Sequence, residues 1–174
     1  ENIAGVGLLW QDTPGLITEA GLVDGKVRFV VAEGVYGNAV VYAYGAGGNE
    51  EILWSWHVWV TGSDVEASAI KTSVGTFMDR NLGATSSIPG DVHALGLMYQ
   101  WGRKDPFMNS SSISAAIEAN STISWPSAVS SDSSTGTISY AIEHPTTYIT
   151  SNSINIYYCY INRVARCFST DIRT

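Results

Sequence analysis

Apolar and polar residues alternate along most of the first sixty or so positions, and no stretch there repeats at helical spacing. Ala4–Trp10 (AGVGLLW) reads as a short strand closed by the turn Asp12-Thr13-Pro14-Gly15. Leu16–Ala32 carries Asp24-Gly25 between two strand-like runs, and a two-residue turn with positive φ favours that dipeptide. A hairpin is predicted. Its second strand puts Val27, Phe29 and Val31 on one face and Lys26, Arg28 and Val30 on the other. Ala39–Tyr44 is the next strand, followed by Ile52–Val60 (ILWSWHVWV). There Trp54, Trp56, Val58 and Val60 share one face, and Leu53, Ser55, His57 and Trp59 the other. Both faces are largely apolar, which predicts a central strand or one covered on both sides.

Five such strands in succession predict an immunoglobulin-like β-sandwich. Thr61–Lys71 is a polar joint, and a domain boundary is placed there, giving a sandwich over 1–66 and a second module over 67–174. In that module VGTFMDRNLGA reads as a strand bent at Gly83, and SSIPGD as a Pro-Gly turn. HALGLMYQWGRKDPF is open between a helical turn plus strand and a single strand. From Asn109 to Thr150 Ser and Thr dominate and charge nearly vanishes. This predicts long loops with short strands at Thr122–Trp125 and Thr137–Ile142, and loops of that length are usually functional or mobile. Ile154–Phe168 is again strand-like. The fold class is therefore mainly β, with a loop-rich second half.

Composition narrows the partners. The 174 residues carry a formal charge of −7, which argues against nucleic acid or an anionic membrane as the main partner. No run of about 18 apolar residues exists, so no membrane span is predicted. The start at Glu1 suggests a processed mature chain. Cys159 and Cys167 permit one disulfide or two buried thiols.

The chemistry-bearing residues do not form a catalytic signature, and no enzyme is predicted. The three histidines lack metal spacing. Calcium has no loop motif, although Asp91, Asp105, Asp132 and Glu143 could contribute oxygens; no cofactor is expected. Asp79-Arg80 and Arg103-Lys104-Asp105 are charged knots beside aromatics. They read either as a sugar-contacting polar site or as pins that hold loops by charge-assisted hydrogen bonds, the second being favoured. Trp54 and Trp56 are assigned to the core, and Asp79, Arg80, Cys159 and Cys167 to structural roles. Trp125 and Tyr140 are the aromatics expected to be exposed, and exposed aromatics stack on sugars or anchor protein partners. With Arg103, Asp105, Tyr158 and Tyr160 they make up the expected ligand contacts.

WSWHVWV, FMDRNLGATSSIPGD, ALGLMYQWGRKDPF and STISWPSAVSSDSSTGTISYAIEHPTTYI carry a further signal. They resemble a family of secreted surface proteins of gut Bacteroides-type bacteria, in which a fimbrillin-like sandwich precedes a module related to the fibrobacter major paralogous (FISUMP) domain. That module is similar to C-type-lectin-like folds. The closing Asn162-Arg163 and Val164-Ala165-Arg166-Cys167 resemble the family's last strand. The family's Cys-Pro-x-Gly-Trp-Arg-x-Pro segment, helix and Trp-Ser-Ser strand are missing between Thr150 and Ile154. The lectin-like half is therefore expected to be shortened, with Cys159 standing in as the partner of Cys167. The resemblance implies adhesion, surface display or pilus-tip duty at a bacterial cell surface, with a glycan or a host or bacterial surface protein as partner. Polymerisation with fimbrial subunits by strand donation is the alternative.

Overall fold

A computed structural model of the chain describes residues 2–47, 51–100, 102–108 and 125–150, and the backbone of 158–159. The protein is mainly β. Its first five strands follow the alternation closely: β1 Gly5–Gln11, β2 Ile17–Val23, β3 Lys26–Val31, β4 Gly37–Tyr44 and β5 Ile52–Val60. The hairpin β2–β3 turns on Asp24 and Gly25, whose φ values of 52° and 72° are the pair of positive angles that this tight turn needs. Val23 and Lys26 pair directly beneath it.

β1, β4 and β5 form one antiparallel sheet in that order. Among the described residues the tryptophan strand β5 is therefore an edge of this sheet, not its centre. The centre is β4, where Ala39, Val40, Val41 and Ala43 are wholly buried. β5 is largely apolar on both faces because each face is covered. On one, Leu16 and Ile17 of the hairpin region pack with Ala39 and Val41, and Trp56, Val58 and Val60 close around them. On the other, Trp10 and Val40 pack with Leu97 and Met108 from the second half of the chain. This second core thus draws on residues from both sides of position 66. β1 lies close to β4 because Gly5 and Gly7 sit opposite Tyr44 and Tyr42, and the tyrosine rings lie over them. A Cβ at Gly7 would come within 2.7 Å of the Tyr42 ring.

Beyond residue 60 several expectations change. The polar joint is shorter than Thr61–Lys71: Asp64 accepts from the backbone N–H of Glu66 and Ala67, and a strand already begins at Ile70. β6 Ile70–Thr72 and β7 Gly75–Phe77 form a small hairpin. The bend at Gly83 is present, with φ 85° and no room for a side chain against Leu97. HALGLMYQWGRKDPF resolves into a 3-10 turn at Val92–Ala94, a bridge between Met98 and Phe107, and β8 at Tyr99–Gln100.

Thr137–Ile142, read as a strand, is instead largely helical, with α1 spanning Ile138–Glu143. Its Thr137 hydroxyl accepts from Tyr140 N–H at 3.1 Å, and Pro145 follows just past its end. Local capping by a Ser/Thr-rich stretch outweighs the β propensity of two isoleucines and a tyrosine. β9 Val129–Ser130 and β10 Ile149–Thr150 pair in parallel. β11, Tyr158–Cys159, pairs antiparallel with β8 and is the described part of the expected terminal strand. Of Thr122–Trp125 only Trp125 is described, and it is not in a strand.

Candidate functional site

The face of β5 that carries Ser55 and His57 meets the second half of the chain, and buried polar side chains join the two. Asn38, at the start of β4, is 2% exposed. Its amide nitrogen donates to Asp12 Oδ2 and to the Gly83 carbonyl, each at 2.8 Å. With both amide protons used, Asn38 Oδ1 must accept, and it lies 2.9 Å from His57 Nε2. His57 is therefore the tautomer that carries its proton on Nε2. Asp12 also accepts from Asn38 N–H at 2.7 Å. One asparagine thus ties the β1–β2 turn, the sheet and the Gly83 bend together.

Burial pushes the His57 pKa down to about 4 from its ordinary 6.5. As pH falls, the unfolded chain takes up this proton first, so stability is full above about pH 6.5 and declines towards about pH 4. The expected loss across that window is roughly 3 kcal/mol. Urea midpoints between pH 4 and 7 should show this decline, and His57→Gln, which keeps the donor but cannot titrate, should flatten it. An equal decline in the variant would assign the effect to other groups.

A second polar knot lies one pair of residues along β5. Ser55 Oγ donates to Asp105 Oδ1 at 2.9 Å. Lys104 Nζ donates to Asp105 Oδ2 at 2.7 Å and to the Ser55 carbonyl at 2.9 Å, and it also contacts Ser55 Oγ. Ser55 and Asp105 are each 2% exposed. A serine beside a lysine could suggest a nucleophile, but this hydroxyl is buried and already committed to a carboxylate. Burial lowers the Lys104 pKa, and the adjacent Asp105 works in the opposite direction. Asp105, expected as a ligand contact, therefore serves inside the protein.

Arg103 turns the other way. It donates to the carbonyls of Thr147 (2.9 Å) and His144 (2.8 Å), and its guanidinium lies 5.0 Å from the centre of the Phe107 ring. Arg103, expected among the ligand contacts, is thus bonded to the 144–147 turn. Asp79 and Arg80 take the structural role expected of them. Their side chains pair through two bonds of 2.7 and 2.9 Å, and Arg80 reaches Ser63 as well. That hydrogen bonding holds the Asp79 carboxyl below the usual carboxylate range.

The tryptophans exchange roles relative to expectation. Trp125, expected to be exposed, is half-buried, with its ring 5.9 Å from Trp10 and 6.0 Å from Phe107. Trp54, assigned to the core, is 42% exposed, and Lys104 Nζ stands 4.6 Å from its ring. The reason is its place near the start of an edge strand, where the β2–β3 hairpin does not cover it. Trp56, two residues on, is covered. Tyr140 is half-buried and stacks on His144 at 4.0 Å. Tyr160, Cys167 and the side chains of Tyr158 and Cys159 lie outside the described residues.

Near this edge an open cleft of about 540 Å³ separates the start of β5 from α1. Gly47, Glu51, Ile52 and Leu53 line one side, and Ser139, Ile142, Glu143 and His144 the other. Among the described residues no three His, Cys, Asp or Glu side chains gather around one point. Two of the suggested calcium ligands have local work: Asp91 caps the 3-10 turn and Asp132 accepts from Ser134 and Thr135. No helix among them is long and apolar enough to cross a membrane.

Asn38, Ser55, His57 and Asp12 were not singled out from the sequence. The available signal was two polar residues, Ser55 and His57, spaced by two on one face of an otherwise apolar strand. No protein-family model matches this chain, and neither a curated protein nor a solved structure does.

Proposed function

We propose that this chain is a surface-exposed binding protein of adhesin or pilus-tip type, secreted to a bacterial cell surface, that contacts a glycan or protein ligand. The observation that carries the reading is Trp54. The residue is 42% exposed on a strand whose neighbouring residues are fixed by buried bonds, and Lys104 lies beside the ring. A pre-ordered aromatic face loses little freedom on binding and can stack on a sugar ring or seat a partner's side chain. The cleft between the start of β5 and α1, lined in part by His144 of the Tyr140–His144 stack, offers a second surface for contact. Trp125, Arg103 and Asp105 leave the contact set because the fold uses them internally. The sequence resemblance described above supports the same reading, with β1–β5 as a fimbrillin-like sandwich and the remainder as a shortened lectin-like module. Neither nucleic acid nor a catalytic turnover has a place in it.

A glycan array probed with the intact protein tests this reading. On any ligand found, Trp54→Ala should bind about fivefold to tenfold more weakly with little change in melting temperature. Binding unaffected by the substitution, or an array without hits together with no captured surface protein, would rule the assignment out.

A second reading is a polymerising fimbrial subunit. It is favoured by the two-stranded β2–β3 sheet, which leaves Val23 (42%), Phe29 (39%) and Val30 (49%) exposed. Exposed apolar strands of this kind can accept a strand from another chain. Chromatography showing only monomer, with and without the terminal strands, would remove it.

A further inference from the structure

β5 is an unusual edge strand. From Ile52 to Val60 it has no charged residue and no proline, and apart from Ser55 and His57 its faces are apolar, which is the composition of a segment prone to pairing with copies of itself. Its outward backbone groups can be identified from the register. The carbonyls of Asn38 and Tyr44 bond to Asp12 and Ala4 on the β1 side. Even-numbered residues of β4 therefore face β1, and Ala39, Val41 and Ala43 face β5. Their partners Val58, Trp56 and Trp54 point back to β4, which leaves the backbone groups of Ser55, His57 and Trp59 pointing away from the sheet. Among the described residues no strand pairs along this side.

One of these outward groups is the Ser55 carbonyl, and it is the group that receives Lys104 Nζ. The lysine is held there at a second point by Asp105, which is itself anchored on Ser55 Oγ. An ammonium fixed over the middle of an edge is a direct obstacle: an incoming strand would have to displace it and leave Asp105 buried without its partner. We propose that Lys104, clamped by Asp105, plugs the side of β5 that no described strand pairs with and keeps this sheet from being extended there by β5 of a second copy. A second copy is the natural occupant, because an uncharged, largely apolar strand meets no repulsion when laid antiparallel against itself. The plug stands whether or not the chain binds a glycan. It also confines any strand addition to the other edges.

The test uses the whole chain carrying Lys104→Met and Asp105→Asn together, a pair that removes both charges while keeping the side-chain sizes similar. Light scattering across a concentration series should show dimers or larger species for the folded double variant, with self-association at least tenfold tighter than for wild type. Lys104→Arg, which retains the cation, should stay monomeric. Hydrogen exchange should show new protection at the Ser55 and His57 amides in the associated species. A folded double variant that remains monomeric, or one that gains protection in β2–β3 instead, overturns the proposal. Should the double variant not fold, wild type decides. Its outward His57 amide should exchange at least tenfold faster than the inward amides of Trp56 and Val58, and equal protection would mean that the edge is already paired.

Discussion

Replacing Asp105 with alanine is expected to be among the most damaging single changes in this protein, at about 3 kcal/mol of folding stability. Asp105 is 2% exposed and accepts both from Ser55 Oγ and from Lys104 Nζ. Its removal leaves the Ser55 hydroxyl without its acceptor and takes one of its acceptors from the partly covered Lys104 ammonium. The usual cost of breaking a buried ion pair is about 3–5 kcal/mol, and the lower figure applies because Lys104 can recover some hydration. Its side chain keeps 25% exposure. For a chain of this size the change corresponds to a fall of roughly 6–12 °C in melting temperature. Asp105→Asn, which keeps one acceptor oxygen for one of the two groups, should lose less than Asp105→Ala. Paired thermal and urea melts of the two variants check this; a loss below about 1 kcal/mol for Asp105→Ala would show that the knot is solvated.

Trp10→Ala should cost about 3–5 kcal/mol by a different route. Trp10 is fully buried between Val40, Leu97 and Met108, with Trp125 tilted against it at 5.9 Å. Its indole N–H makes no hydrogen bond among the described residues. The loss is therefore one of apolar contact and cavity formation, and Trp10→Phe should restore much of it. The cluster joins β1 and β4 to segments beyond residue 66, so the variant should also disturb the far half. The near-ultraviolet circular dichroism of the aromatic group around Trp125 should weaken even where the backbone signal of the strands is retained. Unchanged near-ultraviolet spectra with lowered stability would mean that the two sides of this core fold independently.

The two substitutions probe features that were unequally visible in the chain. Strands β1 to β5 were readable because alternation and turn chemistry are local: Asp24-Gly25 needs no tertiary partner to favour its turn. The pairing of Asp79 with Arg80 was also readable, since adjacent opposite charges are a short-range matter, whereas Arg103, expected among the ligand contacts, bonds carbonyls more than 40 positions away. α1 was misread because Ile138, Tyr140 and Ile142 alternate as a strand would, while the deciding signal was a single threonine cap. Trp54 and Trp56 are identical by pattern, two residues apart on one face. What separates them is how far the β2–β3 hairpin reaches along the sheet. The same holds for Trp125, whose Ser/Thr-rich neighbours suggested solvent but whose ring meets Trp10 and Phe107.

By itself the sequence determined a β-rich protein, the order of its first five strands, the hairpin turn and the absence of a long apolar helix, because each depends on residues close together in the chain. The tertiary structure decided which strand forms the edge, which tryptophan reaches water, and which polar groups are buried. Asn38 meets Gly83 across 45 positions and Ser55 meets Asp105 across 50. Contacts of that range are set by how sheets and loops stack, and no local propensity encodes them.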